Sequence, residues 1–222
     1  TLAHGKDPRL TRIYALVSAA LIGALVIGAG VTVYFGQAQR AASSDRFAQC
    51  RASVVAGGVG QIGGPFTLID ETGQTVTDAD VITEPTLVYF GYTFCPDVCP
   101  LDAVRNAEAV DILATDGYAV RPVMITVDPL RDTPAVMAAF TANIHERMLG
   151  LTGTPEQTDA AARAYRVYYR SNRDSGDPYY LVDHSAFTYL VLPDHGFVEF
   201  FNRETTPQQM AERTECFVDA AS

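Results

Sequence analysis

An α/β domain carried on one membrane-spanning helix is the architecture this sequence predicts, on three observations. Ile13 to Phe35 is a run of 23 residues without a charge. Residues 36–61, rich in Ala, Gly, Gln and Ser, read as a tether. From 62 to 222, short β-rich apolar runs alternate with capped helical stretches. That alternation is the pattern of a mainly parallel sheet covered on both faces. With 48% hydrophobic and 19% charged residues among 222, a disordered chain is excluded. A net charge of −10 argues against nucleic acid as a partner. Four cysteines are too few for a disulfide scaffold.

The charge-free run comes first. At about 1.5 Å per residue it reaches about 34 Å, enough to cross a hydrocarbon core of about 30 Å. Tyr14 and Tyr34 stand near its ends, where aromatic rings favour the interface. Gly36-Gln37-Ala38 loosely fits a cleavage site, but the run exceeds the apolar core of about 7–15 residues in a cleaved signal. A retained anchor is therefore expected. Lys6, Arg9 and Arg12 precede it, against Arg40 and Arg46 after it, which places residues 1–12 as a cytoplasmic tail. With Asp7, the first 35 residues carry +2, so the remainder carries −12. Such an acidic domain is expected to face outward.

The soluble part follows in order. Phe66–Ile69 and Thr75–Thr77, joined through Glu71-Thr72-Gly73, predict a hairpin. Thr86–Tyr92 is short and apolar throughout, as a buried central strand is. A helix is expected over about Cys95–Thr115, then a strand over Val120–Val127. Asp132-Thr133-Pro134 signals a helix start, with Asp132 as the expected cap. That helix runs to about His145. A strand near Met148–Leu151 leads to a helix over Glu156–Tyr165. Phe187–Leu192 and Phe197–Phe201 form a second hairpin through Pro193-Asp194-His195-Gly196. Thr206-Pro207 opens a last helix to about Val218. A βαβ core closed by a hairpin and a helix is the thioredoxin-like order.

Cys95-Pro96-Asp97-Val98-Cys99 falls where the central strand ends and a helix begins. Spacing of i, i+4 lets both sulfurs point at one spot. A helix N-terminus biases thiols toward thiolate, the form that attacks disulfides and binds metals. Three intervening residues permit a disulfide. They also suit two soft donors that, with a third ligand, hold Cu(I) or a similar metal. Four histidines are available. His4 precedes the span, His145 ends a helix and His195 sits in a turn. His184 lies just before the strand Phe187–Leu192, and in a thioredoxin-like sheet that loop faces the cysteine loop. It is the geometrical candidate. Cys50 and Cys216 remain as an even pair, which suggests a disulfide in an oxidising compartment, pinning the tether to the last helix.

The run Tyr89-Phe90-Gly91-Tyr92-Thr93-Phe94-Cys95-Pro96-Asp97-Val98-Cys99-Pro100 resembles the signature of the Sco/SenC family. Three further segments fit in order: 126–134 (TVDPLRDTP), 151–153 (LTG) and 182–185 (VDHS). Gly63-Gly64-Pro65-Phe66 fits the start of the family's first hairpin, and the anchor fits too. Leu130 stands where an acidic residue is expected, and Phe94 where some members have histidine. The resemblance implies a membrane-tethered, thioredoxin-like copper protein that helps assemble the binuclear copper site of cytochrome c oxidase subunit II, or serves another copper protein. It assigns Cys95, Cys99 and His184 as ligands for Cu(I), with Cu(II) held by the same donors plus others. It implies a bacterial inner membrane with the domain in the periplasm, or the intermembrane-space side of a mitochondrial inner membrane.

Asp128 is read as a residue near the metal loop, against a plain turn aspartate bonding to backbone amides. Asp183 is a candidate to orient His184. The tyrosines Tyr165, Tyr168, Tyr169, Tyr179 and Tyr180 read as packing around strand edges rather than as a docking surface. Three functions compete. A metallochaperone needs all three ligands. A thiol–disulfide reductase acting on the oxidase's copper-site cysteines needs only Cys95 and Cys99. A redox sensor is compatible with either. A peroxidase is disfavoured because Thr93 stands two positions before Cys95, not three.

Overall fold

The computed structural model describes residues 23, 25–34, 45–52, 62–177 and 179–222. The chain divides into two compact units, Thr1–Ala48 and Gln49–Ser222. In the first, Gly23 and Leu25–Tyr34 are helical, with exposed apolar side chains. Among the described residues no helix is long and apolar enough to cross a membrane. About half of the expected span 13–35, and all of the tail 1–12, lie outside the described residues.

The second unit runs β1 (Thr67–Asp70), β2 (Thr75–Thr77), α1 (Asp78–Val81), β3 (Thr86–Gly91), α2 (Val98–Thr115), β4 (Arg121–Thr126) and α3 (Pro134–Ile144). It continues with β5 (Leu149–Thr152), α4 (Pro155–Ala164), β6 (Tyr169–Ser171), β7 (Val182–His184), β8 (Thr188–Leu192), β9 (Gly196–Phe201) and α5 (Pro207–Ala221). Seven strands form one sheet in the order β2-β1-β5-β4-β3-β8-β9. Its centre, β5-β4-β3, is parallel. The expectation of a mainly parallel sheet needs correction, because the two expected hairpins, β1–β2 and β8–β9, also join the parallel centre in antiparallel fashion, β1 on β5 and β8 on β3. Within each hairpin a tight turn forces this, since only antiparallel neighbours can be joined by so few residues. In the first turn the Asp70 carboxylate accepts the amides of Thr72 and Gln74, both at 2.9 Å, and Gly73 adopts φ +84°.

Residue chemistry explains most elements. All six residues of β3 are buried, which suits a strand with neighbours on both edges and both faces. Thr133, Thr154 and Thr206 cap α3, α4 and α5, each followed by a proline at the first helical position. The cap of α3 is thus Thr133, not Asp132; the Asp132 side chain turns inward instead. Helix α2 begins at Val98 rather than Cys95, so Cys95–Asp97 remains a loop. The ribbon β6–β7, the short α1 and a 3-10 turn at Arg173–Ser175 had no counterpart in the sequence reading. They carry neither helical nor strand periodicity.

Cys50 and Cys216 are disulfide-bonded, with Cα atoms 5.6 Å apart. This fastens the segment before the domain to α5. Ala52 N–H donates to Glu199 Oε2 on β9 at 3.0 Å, and Glu199 is buried. Residues 53–61 of the tether lie outside the described residues.

The bond closes a sequence separation of 166 residues, and chain entropy sets a ceiling of about 5 kcal/mol on its contribution. Because the core already restrains α5, replacing both cysteines by serine is expected to cost about 2–4 kcal/mol in urea unfolding of the full chain. An unchanged midpoint would show that the bond does not stabilise the domain.

Candidate metal centre

The sheet register builds the site. Strand β8 runs antiparallel to β3, with Tyr89 opposite Thr188. The chain leaving β3 therefore meets the chain arriving at β8. Val127 N–H donates to Gly91 O at 2.8 Å, extending the β3–β4 ladder by one step before the loop departs. Cys95 N–H then donates to Tyr92 O at 3.3 Å, folding the loop into a tight turn. Cys99 lies in the first turn of α2, and its N–H donates to the Cys95 sulfur at 3.3 Å.

His184, at the end of β7, reaches across to this turn. Its Nε2 is 3.2 Å from Cys99 Sγ. Its Nδ1 is 3.1 Å from Ser185 O. A carbonyl only accepts, so Nδ1 carries the hydrogen and Nε2 presents a bare lone pair to the Cys99 thiol. Tyr89 and Tyr92 hold the imidazole edge-on, with ring centroids at 6.2 and 5.8 Å. Glycine is required at position 91. A Cβ there would stand 3.2 Å from Cys99 Sγ and 2.6 Å from Tyr89 Cε1.

The two thiols are free but unequal. Burial would raise the Cys95 thiol, but the amides of Asp97, Cys99 and Val98 and the Cys99 side chain outweigh it and hold it below its ordinary value. Burial pushes the Cys99 thiol far up, Cys95 adds to the push, and hydrogen bonds with Tyr92 and Tyr89 offset only part of it. The expectation that the helix N-terminus favours both thiolates is therefore corrected. Cys99 is 0% exposed, and its desolvation exceeds what a helix end supplies. Burial also lowers His184 below its ordinary value, against opposing contributions from Ser185 O, Asp102 and Asp183, which favours the neutral ring.

The other candidates fall elsewhere. Asp183 is exposed and paired in register with Arg170; the group that orients His184 is Ser185 O. Asp128 is buried and accepts the Tyr180 hydroxyl at 2.9 Å and Arg131 Nε, while its own amide donates to Thr126 Oγ1. The Arg131 guanidinium lies over the rings of Tyr180 and Phe94, 3.7 and 4.6 Å from their centroids. His145 sits beside Asp111, with Nε2 3.2 Å from its carboxylate. His195 is in the β8–β9 turn, and His4 is outside the described residues.

Sequence reasoning missed a polar group beneath the site. Buried Asp102 accepts the Tyr89 hydroxyl at 3.1 Å and lies 3.5 Å from both Arg105 and Arg203. Arg105 also donates to Thr188 Oγ1 at 3.0 Å, tying α2 to β8. The available signal was an acidic residue three positions after Cys99, on the helix face that Cys99 buries.

Chemically, one imidazole and two sulfurs form a soft donor set. Cys99 and His184 touch, while the Cys95 sulfur is engaged by a backbone amide. Among the described residues no group of three or more His, Cys, Asp or Glu side chains is already gathered as a metal cage.

Two outcomes follow from this geometry. With iodoacetamide at neutral pH, Cys95 is expected to be alkylated at least about tenfold faster than Cys99; equal rates would contradict the asymmetry. Gly91→Ala is expected to lower the melting temperature and to displace the Cys99 side chain, read as faster Cys99 alkylation.

The SCO1/SenC family model matches residues 56–219. Protein SenC of Rhodobacter capsulatus is 58% identical over 177 residues, covering 80% of this chain and 79% of its own. The mitochondrial SCO1 homolog 1 of Arabidopsis thaliana is 43% identical over 147 residues, 66% of this chain but only 44% of that protein. Among solved structures, copper-bound ScoI of Arabidopsis thaliana aligns with a TM-score of 0.66 at 38% identity, over 71% of this chain and 99% of that one. Copper-bound ScoI of Bradyrhizobium japonicum gives 0.63 at 39% identity, over 69% and 98%.

Proposed function

Since the chain belongs to the SCO1/SenC family, we propose that it is a copper chaperone that binds the ion through Cys95, Cys99 and His184. The acceptor is the binuclear copper site of cytochrome c oxidase subunit II, or another copper protein. One observation carries the reading: the bare Nε2 of His184 stands 3.2 Å from the Cys99 sulfur, in the same short segment as Cys95. Two thiolates and an imidazole suit Cu(I), and added ligands would extend the set to Cu(II). The copper-bound relatives of similar sequence support it.

The inequality of the thiols gives each donor a part. Burial favours the neutral form of His184, which needs no deprotonation. Each thiol must give up its proton when the ion arrives, so binding is coupled to pH. Cys95 is the readier thiolate and the less buried one, at 9% against 0% exposed. Exchange with a partner's ligands therefore begins at Cys95, while Cys99 and His184 hold the ion from beneath.

The same reading places residues 13–35 as a membrane helix, 1–12 as a cytoplasmic tail, 36–61 as a tether and 62–222 as the copper-binding domain. In a bacterium that domain stands in the periplasm at the inner membrane; in a mitochondrion it faces the intermembrane space.

A second reading is favoured by the same thiol asymmetry. Cys95 would attack a partner's disulfide, and Cys99 would resolve the mixed disulfide. The partner then leaves reduced and the chain leaves with Cys95 and Cys99 bonded. The substrate would be the cysteines of the oxidase copper site.

Anaerobic Cu(I) titration of the full chain, in competition with a chromophoric chelator, tests the assignment. One copper per chain is expected, bound at least tenfold more weakly by His184→Ala, which is about 1.4 kcal/mol. Equal binding by the variant would remove His184 from the ligand set and put the reductase reading first. The reduction potential of the Cys95–Cys99 pair then becomes the deciding quantity.

A further inference from the structure

We propose that Asp132 is a positioning residue that clamps the cysteine loop through Thr93 and so fixes where Cys95 stands. The Asp132 side chain is fully buried, yet among the described residues it meets no cation. Its carboxylate accepts from the Thr93 hydroxyl at 2.6 Å, the Thr93 amide at 3.1 Å and the Thr126 hydroxyl at 2.6 Å. Thr126 Oγ1 itself accepts the Asp128 amide at 2.9 Å, so its own hydrogen is committed to Asp132. The Asp132 backbone is held as well, with its carbonyl accepting Thr152 Oγ1 at 2.6 Å and its amide donating to Asp128 O at 3.0 Å. One residue thus joins the end of β4, the end of β5 and the loop that leaves β3.

The arrangement is costly unless the position of that loop matters. A buried carboxylate is tolerated only when its oxygens are satisfied. Ordinary helix capping does not need it, since Thr133 caps α3. Both side-chain oxygens are spent within reach of Thr93, two residues before Cys95. Downstream of Thr93, the loop is held by the Cys95 amide on Tyr92 O and by the Cys99 amide on the Cys95 sulfur. The height at which Thr93 is pinned therefore sets the position of Cys95 relative to Cys99 and His184.

The inference rests on the copper reading only for its second readout. In the metal-free full chain, hydrogen exchange at the Cys99 amide reports whether the Cys95 sulfur stays in place. Thr93→Val removes the hydroxyl and leaves a buried carboxylate oxygen unpaired. It is expected to speed exchange at Cys99 N–H about tenfold and to weaken Cu(I) binding by a similar factor. Thr93→Ser restores both. Asp132→Asn keeps both at native values, because the amide oxygen can take the two donors on one side while the Thr93 hydroxyl turns to accept on the other. Native exchange at Cys99 in Thr93→Val, or a loss that Thr93→Ser fails to rescue, overturns the clamp. A loss in Asp132→Asn equal to that in Thr93→Val also overturns it, since charge rather than placement would then be acting. If exchange behaves as expected while the native chain binds no copper, the clamp stands and the copper reading falls.

Discussion

Antiparallel pairing of β8 with β3 sets Tyr89 opposite Thr188, and from that register the loop after one strand must meet the loop before the other. Everything at the site depends on this meeting. The two cysteines come from the exit of β3, and the histidine from the approach to β8. Cys99 and His184 are 85 residues apart in sequence and 3.2 Å apart in space. A parallel β8 would begin at the opposite end of the sheet and carry His184 away with it. The correction from a mainly parallel sheet to a mixed one is therefore not a detail of classification. It is the reason the histidine of one segment meets the cysteine loop of another.

Burial then decides how the donors differ. The same strand-to-helix junction supplies both sulfurs, and a helix end alone would treat them alike. Cys99 is packed against Gly91 and Tyr89 inside the core, where the charged form is penalised. Cys95 is also largely covered, but its sulfur faces backbone amides that reward the charge. Desolvation wins at Cys99 and hydrogen bonding wins at Cys95, in the same short segment. The outcome is an ordered pair, one ready sulfur and one reserve.

Much of this was legible in the sequence because it rests on local signals. The apolar run Thr86–Tyr92, the three Thr-Pro helix starts and the glycine-bearing turns fix most elements within a few residues. That His184 meets Cys99 was legible because the order of elements says which loops face each other. What stayed hidden depends on contacts between residues far apart in sequence. Ser185 rather than Asp183 orients His184, and that choice is made by one carbonyl direction. The ribbon β6–β7 has no periodicity to betray it, since β6 is a tyrosine, an arginine and a serine with mostly exposed faces. Asp102 reads as an ordinary helix aspartate until Tyr89, Arg105 and Arg203 are seen around it.

Asp132 shows the same difficulty most sharply. Its neighbours in sequence, Thr133 and Pro134, make a helix start, and an aspartate before them reads as the cap. The structure gives the capping role to Thr133 and turns Asp132 into the interior. A hydroxyl satisfies the first-turn amide at little cost, whereas a carboxylate can serve three donors at once and hold three chain segments together. Burying that carboxylate is unfavourable by itself, and it is offset only because Thr93, Thr126 and the Thr93 amide all converge on it. Polar satisfaction in the core is a property of the assembled fold. It is also how the end of β4 is tied, through Asp132, to the loop that carries Cys95.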